Sequence, residues 1–252
     1  TLTATMSGKA DSDVTVGLST SGTASEGTDY TAILDIVIPA ESLASSVSFA
    51  PIDENVYELS ETAIIDVASV SGGVAENGTQ QKTITITNDD SAPTVTFALS
   101  TNSQAENDDS AVSVTATLSN PTYQDVVVAF TASGTSTADT DWRSFTGNDI
   151  TISAGDTTGS VSGEIIDDTT YEGDETIIID IDTVTGGGAT ENGTQQKTFT
   201  IVENESAPTV TLTSSATSIE EDAAGTITLT ATLSVKTTAD VTVALATSGT
   251  ST

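Results

Sequence analysis

Ser91-Ala92-Pro93-Thr94-Val95-Thr96 returns unchanged but for its numbering as Ser206-Ala207-Pro208-Thr209-Val210-Thr211, a shift of 115 residues from Pro93 to Pro208. The same shift carries Asn77-Gly78-Thr79-Gln80-Gln81-Lys82 onto Asn192-Gly193-Thr194-Gln195-Gln196-Lys197. Thr1-Leu2-Thr3-Ala4-Thr5 matches Thr228-Leu229-Thr230-Ala231-Thr232, so both ends of the sequence fall inside repeats. A period of about 115 residues is too long for solenoid repeats of roughly 20 to 50 and suits a domain with its own core. The sequence therefore reads as a repeat over 1–90 lacking its first strand or strands, a complete repeat over 91–205, and the N-terminal part of a further repeat over 206–252. Residues 228–252 duplicate 1–25, as expected of a window on a longer repetitive chain that opens at Thr1 already inside a strand-like pattern.

Within the complete repeat, short segments rich in Val, Ile and Thr alternate in polarity between clusters of Gly, Asn, Asp and Ser, a period of two rather than 3.6. This predicts strands near 93–99, 111–119, 124–133, 149–153, 158–166, 176–184 and 197–203. Seven strands at such spacing without a helical stretch predict an all-β fold of tandem, immunoglobulin-like antiparallel β-sandwich domains. The Asn77-Gly78 and Asn192-Gly193 pairs suit the two positive-φ centres of a type I′ turn closing or bordering a hairpin. Both also lie in Asn-x-Thr glycosylation acceptors, as Asn204 does in Asn-Glu-Ser.

The 252 residues carry 37 acidic and 5 basic side chains, a formal net charge of −32, with no histidine and no cysteine. Those zeros exclude disulfides, thiol or Ser-His-Asp catalysis, and zinc, copper or haem sites of the usual nitrogen and sulfur kind. Lys9, Lys82, Arg143, Lys197 and Lys236 are scattered singly, which excludes a phosphate-neutralising nucleic-acid surface. Hydrophobic residues at 36% and charged residues at 17% separate the chain from acidic disordered sequences. Apolar runs such as Val126 to Phe130 fall far short of the roughly 20 residues of a membrane-spanning helix. A glycosidase would need one cleft lined by aromatics, yet aromatics are 4% and the acids recur with the repeat, so no enzyme is expected.

The acids gather where strands are predicted to end. In the first repeat they are Glu26 and Asp29, then Asp53, Glu54, Glu58 and Glu61, then Asp89 and Asp90 after Asn88. In the second they are Glu106, then Asp139 and Asp141, then Asp167, Asp168, Glu172, Asp174 and Glu175, then Glu203 and Glu205. Two carboxylates about 4 Å apart repel by roughly 4 kcal/mol at an effective dielectric of 20, so converging acids need a proton or a cation. Clustered oxygen ligands without imidazole or thiolate favour Ca²⁺. Composition alone fits equally well with solvated acids that keep a β-protein soluble.

Spacing separates the two readings. Gly22-Thr23-Ala24-Ser25-Glu26-Gly27-Thr28-Asp29-Tyr30, Ile52-Asp53-Glu54-Asn55-Val56-Tyr57-Glu58-Leu59-Ser60-Glu61 and Ile84-Thr85-Ile86-Thr87-Asn88-Asp89-Asp90 together resemble the Calx-beta family. The second repeat resembles it more closely in Ile165-Ile166-Asp167-Asp168-Thr169-Thr170-Tyr171-Glu172-Gly173-Asp174-Glu175-Thr176. The resemblance implies an immunoglobulin-like sandwich with a calcium site at one end. It would assign Asp29, Asp53, Glu54, Glu58, Asp89 and Asp90 to metal in the first repeat, whose first-strand acid lies upstream of Thr1. In the second it would assign Glu106, Asp141, Asp167, Asp168, Glu172, Glu203 and Glu205, and in the third only Glu221 remains. Asp141-Trp142 stands where the family prefers Asp-Tyr, and Glu203-Asn204-Glu205 where it prefers an Asp run.

The last acids of each repeat run directly into Ser91-Ala92-Pro93 or Ser206-Ala207-Pro208, and proline restricts both itself and its predecessor. The resemblance thus implies calcium at the repeat boundaries, neighbouring repeats of one long chain as partners, and an extracellular, cell-surface location. The expected role is a calcium-stiffened segment of a bacterial surface protein, adhesin or filament. Rival expectations are a glycan- or protein-binding adhesion module, for which Trp142 and Tyr171 offer a sugar platform, and a filament subunit completed by another chain's strands.

Overall fold

The computed structural model describes residues 1–143, 145, 147–222 and 224–249, which among them contain strands, turns and bridges and no helix. Two compact units emerge. The first comprises Thr1–Pro93 with Asn120–Gln124 and Ala154–Asp156, and the second comprises Thr94–Ser119, Asp125–Ser153 and Thr157–Thr252.

The seven strands predicted for the complete repeat are present at Thr94–Leu99, Val112–Leu118, Val126–Gly134, Asp149–Ile152, Thr158–Ile165, Glu175–Thr185 and Gln196–Val202. One five-stranded sheet runs in the order Asp149–Ile152, Val126–Gly134, Glu175–Thr185, Gln196–Val202, Ser103–Ala105. The other runs Trp142–Arg143, Thr158–Ile165, Val112–Leu118, Thr94–Leu99, Thr190–Glu191. Alternation decides what lies inside: along Val112–Leu118 every second residue is buried, and Val95, Phe97, Val126, Val128, Phe130, Ile150, Ile152, Ile177, Ile179, Phe199 and Ile201 join the same core. Burying each such aliphatic or aromatic side chain contributes roughly 1.5 to 3 kcal/mol. Phe130 sits at the centre, edge-on to Phe97 and to Phe145.

The first repeat reproduces one sheet as Ile36–Ile38, Val14–Gly22, Glu61–Val70, Gln81–Ile86, with Leu2–Thr5 paired to Ala44–Val47. Its buried residues form two smaller clusters, one around Val14, Val16, Ile36 and Ile38 and one around Ala24, Tyr30 and Ala63. In the third repeat Val210–Ser214 pairs with Leu229–Leu233, and Val210, Leu212 and Leu229 are exposed.

Two backbone devices recur and fix where the acidic loops lie. The strand register slips between Gly17 and Leu18 and again between Ala129 and Phe130, a β-bulge at equivalent places. At the ends of these strands Gly22 (φ 116°) and Gly134 (φ 130°) press against the next strand so closely that a Cβ would stand 2.1 Å from the carbonyl oxygen of Thr62 or Thr176. Only glycine fits, and the loop beyond each is thereby pinned to the start of that strand through N–H donors of Thr23 and Ala24 to Thr62, and of Thr135 and Ser136 to Thr176.

The Asn-Gly turns depart from expectation. Gly78 and Gly193 have positive φ but Asn77 and Asn192 do not, so neither is a type I′ turn. Each borders a hairpin as part of a longer loop closed by side chains: the Gln195 N–H donates to Glu191 Oε1 while Gln195 Nε2 donates to the Asn192 carbonyl, 2.6 Å away, and Gln80 does the same with Glu76 and Asn77. Side-chain acceptors replace the backbone geometry that a two-residue turn would need.

A parallel bridge also joins each acidic loop to a segment further along the chain. In the first unit Tyr57 bridges Thr122, with Tyr57 N–H donating to the Pro121 carbonyl at 2.9 Å and Tyr123 N–H donating to the Tyr57 carbonyl at 3.2 Å. In the second, Thr170–Tyr171 pairs in parallel with Lys236–Thr237, Tyr171 opposite Thr237.

Candidate metal centre

The pinned loop after each bulged strand turns back on itself and delivers an aspartate. Asp29 N–H donates to the Ser25 carbonyl while its side chain accepts from Ser25 N–H, and Asp141 repeats both bonds with Thr137. Asp139, with φ 66°, occupies the place of Gly27, with φ 89°, so it is a turn residue, and it belongs to none of the acidic triads found among the described residues. The carbonyls of Asp29 and Asp141 then accept from Ile52 and Ile166, which set the acidic loop beside them.

In the first repeat one carboxylate oxygen each from Asp29, Glu58 and Glu61 lie within 4.8 Å of one another. These three line an open cleft of about 500 Å³ together with Asp53, Glu54, Asp89 and Asp90, so all six acids assigned from sequence converge. In the second repeat the equivalent triad is Asp141, Glu172 and Glu175. A second triad, Glu106, Glu203 and Glu205, stands there because Ser103–Ala105 runs parallel to the end of the Gln196–Val202 strand, and Glu106 N–H donates to the Val202 carbonyl at 3.0 Å. Asp167 and Asp168 border these triads. Asp167 accepts from Asn204 Nδ2 at 3.0 Å and Asp168 from Thr170 N–H at 2.6 Å. Glu221 in the third repeat is exposed.

Glu61 and Glu175 complete the triads, although the sequence motif did not assign them to metal. Each is the first residue of a strand, Glu61–Val70 and Glu175–Thr185, and lies next to the threonine that receives the pinned loop. The legible signal was position: an acid opening the one strand against which a glycine must close.

The electrostatics are those of converging like charges. Burial, then the facing Asp29 carboxyl, pushes Glu61 up to about 7, and burial with Asp141, Glu172 and Glu106 does the same for Glu175. Glu106, itself buried, is pushed to about 7 by burial and by Glu203, Asp168, Glu205 and Glu172. Glu54, Glu58 and Glu172 are raised for the same reasons. Glu203 goes the other way. Burial opposes its ionisation, but N–H donors from Glu172 at 2.5 Å, Gly173 at 2.8 Å and Glu205 at 2.9 Å hold it down at about 2. Gly173, at φ 84°, presents one of those donors. In the first repeat the corresponding acceptor is the neutral Asn88, bonded weakly by Glu58 N–H at 3.5 Å.

The ion pairs among the described residues are Lys9 with Glu41 and Arg143 with Glu164, both exposed, and neither includes a triad carboxylate. Oxygen ligands on opposite sides of a Ca²⁺ ion stand roughly 4.6 to 5.2 Å apart, so spacings within 4.8 Å, all-oxygen donors and protonation-prone carboxyls fit a hard divalent cation. The triads could hold such an ion. Trp142 is not a sugar platform: it is buried against Phe145, ring centroids 5.4 Å apart, at the position of the equally buried Tyr30.

Compared with known proteins, the chain matches the Calx-beta domain model over residues 2–90 and again over 88–206. No curated protein matches it. Among solved structures it is similar to CBD12 from CALX1.2, at 17% identity and a TM-score of 0.36, over 80% of this chain and 91% of that one. It is similar to the apo-form Calx CBD1 domain at 20% identity and a TM-score of 0.37, over 45% and 99%. A looser likeness, at 16% identity and a TM-score of 0.27 over 79% and 74%, is to domains 4 and 5 of the S-layer protein SbsC.

Proposed function

This chain belongs to the Calx-beta domain family, and on that premise we propose that it is a non-catalytic, calcium-binding structural segment of an extracellular bacterial surface protein, adhesin or filament. Calcium would be held by the carboxylates assigned above, with Glu61 and Glu175 added, and would stiffen an array whose repeats meet after Asp90 and after Glu205. The observation that carries the reading is the recurrence of one triad, Asp29 with Glu58 and Glu61 and Asp141 with Glu172 and Glu175, each with ligand atoms within 4.8 Å. A surface that merely needed solubility would spread its charge, whereas here burial and converging carboxyls push Glu61 and Glu175 up to about 7. Extracellular calcium modules bind at about 10⁻⁴ to 10⁻³ M, which suits a calcium-replete exterior.

Thermal unfolding of the chain in excess chelator and across a millimolar calcium series, with X-ray scattering on the same samples, tests this. Melting that rises by tens of degrees with a less flexible particle supports it. Unchanged melting and scattering would sink it.

A second reading is a filament subunit completed by strands of another chain, which would cover Val210, Leu212, Leu229, Val241, Val243 and Leu245. Sedimentation across protein concentrations separates this from a monomeric array.

A further inference from the structure

The parallel bridges at Tyr57 and at Tyr171 are one device used twice. Tyr57 and Tyr171 are equivalent residues of the two acidic loops, each immediately before a triad carboxylate, Glu58 or Glu172. Thr122 and Thr237 are equivalent residues of the segment that follows the Val112–Leu118 and Leu229–Leu233 strands, so the second and third repeats each receive an acidic loop at the same place. Aligning Thr1–Thr5 with Thr228–Thr232 puts Lys9, Ala10 and Asp11 of the first repeat at the positions of Pro121, Thr122 and Tyr123.

That segment of the first repeat already has the receiving geometry. The Ala10 carbonyl accepts from Glu41 N–H at 2.9 Å, and the Thr122 carbonyl accepts from Gly155 N–H at 2.9 Å, with Glu41 (φ 61°) and Gly155 (φ 82°) both in left-handed turns. The groups that make the bridge at Thr122 are the Pro121 carbonyl and the Tyr123 N–H; their counterparts, the Lys9 carbonyl and the Asp11 N–H, have no hydrogen-bond partner among the described residues. Thr122 is fully buried, whereas Lys9 and Asp11 are exposed. Charge completes the match: two of the five basic residues, Lys9 and Lys236, occupy this single position, and Lys236 is registered opposite Thr170, between Asp168 and Glu172.

We propose that the Lys9–Asp11 edge is a docking surface for the acidic loop of another repeat of this kind, a loop of the pattern Asp-acid-x-x-Tyr-Glu, taken up through the same parallel bridge. The surface rests on the reading of the chain as part of an array but not on calcium. Its Lys9 draws the carboxylate loop in, while the backbone pair fixes the register. Pro121 in the second repeat shows that the bridge itself forms without the charge.

The period supplies the test. Placing residues 1–227 directly before Thr1 of the full chain rebuilds a complete repeat from 206–227 and 1–90, and presents an acidic loop to the second copy's Lys9–Asp11. The chain has no cysteine, so Thr170→Cys in the first copy and Lys9→Cys in the second form a unique pair, probed with a short bis-maleimide in chelator and in calcium. The reference is Thr170→Cys with Lys236→Cys in the 252-residue chain. Cross-linking at the reference rate, slowed about tenfold by Asp11→Pro, which deletes the bridging N–H, supports the proposal. A reactive reference beside an unreactive Lys9→Cys pair overturns it, and so does an unreactive reference, since the bridge it copies would then be absent. Cross-linking alike in chelator and calcium upholds docking even where calcium fails to shift melting.

Discussion

Glu61 faces Asp29 with ligand oxygens no more than 4.8 Å apart, and the pair recurs as Glu175 and Asp141. In each case two segments far apart in sequence meet because a glycine, Gly22 or Gly134, lets the loop carrying the aspartate lie against the strand that the glutamate opens. Like charges are thus held together by backbone geometry rather than by attraction. Opposite outcomes are expected with and without a cation.

Glu175→Gln should weaken calcium binding at the second repeat by at least about tenfold, because affinity follows ligand charge. In chelator the same variant should melt at the same or a higher temperature, since a repelling carboxylate is gone. Calorimetric titration gives the first result and thermal unfolding the second. Trp142, the single tryptophan, is buried beside Asp141 and provides a fluorescence reading local to this triad.

The metal-free protein should lose stability as pH rises from about 5 to 8. Glu61, Glu106 and Glu175 have native-state values raised from 4.5 to about 7, so the folded state binds protons more tightly than the unfolded one. That contribution is whole below the unfolded value and is lost as pH rises through about 7. Glu203, held at about 2, contributes in the opposite sense, losing its part as pH falls from about 4.5 toward 2. Melting curves in chelator across this range check the signs. Millimolar calcium should flatten the upper limb and, near pH 7, release protons detectable as a buffer-dependent binding enthalpy.

Gly134→Ala should destabilise the second repeat by about 3 kcal/mol, from a positive φ and a Cβ driven into the Thr176 carbonyl. Because the displaced loop carries Asp141, calcium binding should fall with it. Denaturant unfolding and titration of the same variant measure both.

Ile179→Ala, at a fully buried core position, should cost about 2 to 5 kcal/mol, whereas Leu212→Ala, half exposed in the third repeat, should change stability by no more than about 0.5 kcal/mol. A filament held by strands covering Leu212 would reverse the second expectation at high protein concentration.

Strand alternation is a strong, long-range signal, and the seven main strands lie within about two residues of where polarity places them. Ser103–Ala105, Trp142–Arg143 and Thr190–Glu191 were not legible, because two or three residues carry no period and their pairing is decided by the strands already in place. The acids assigned in the first repeat converge on one cleft, yet Glu61 and Glu175 escape assignment because their role depends on a close approach of backbones that no linear motif expresses. Asn77-Gly78 has the composition of a type I′ turn and does not form one for a related reason: Glu76 and Gln80 satisfy its loop from the side.

The bridge at Tyr57 and Tyr171 joins each acidic loop to a receiving segment through main-chain pairing opposite a threonine, Thr122 or Thr237, while the residue before that threonine is Pro121 in one case and Lys236 in the other. Because main-chain atoms carry the contact, a side-chain change on the receiving segment leaves it in place as long as the residue after the bridging threonine keeps its N–H.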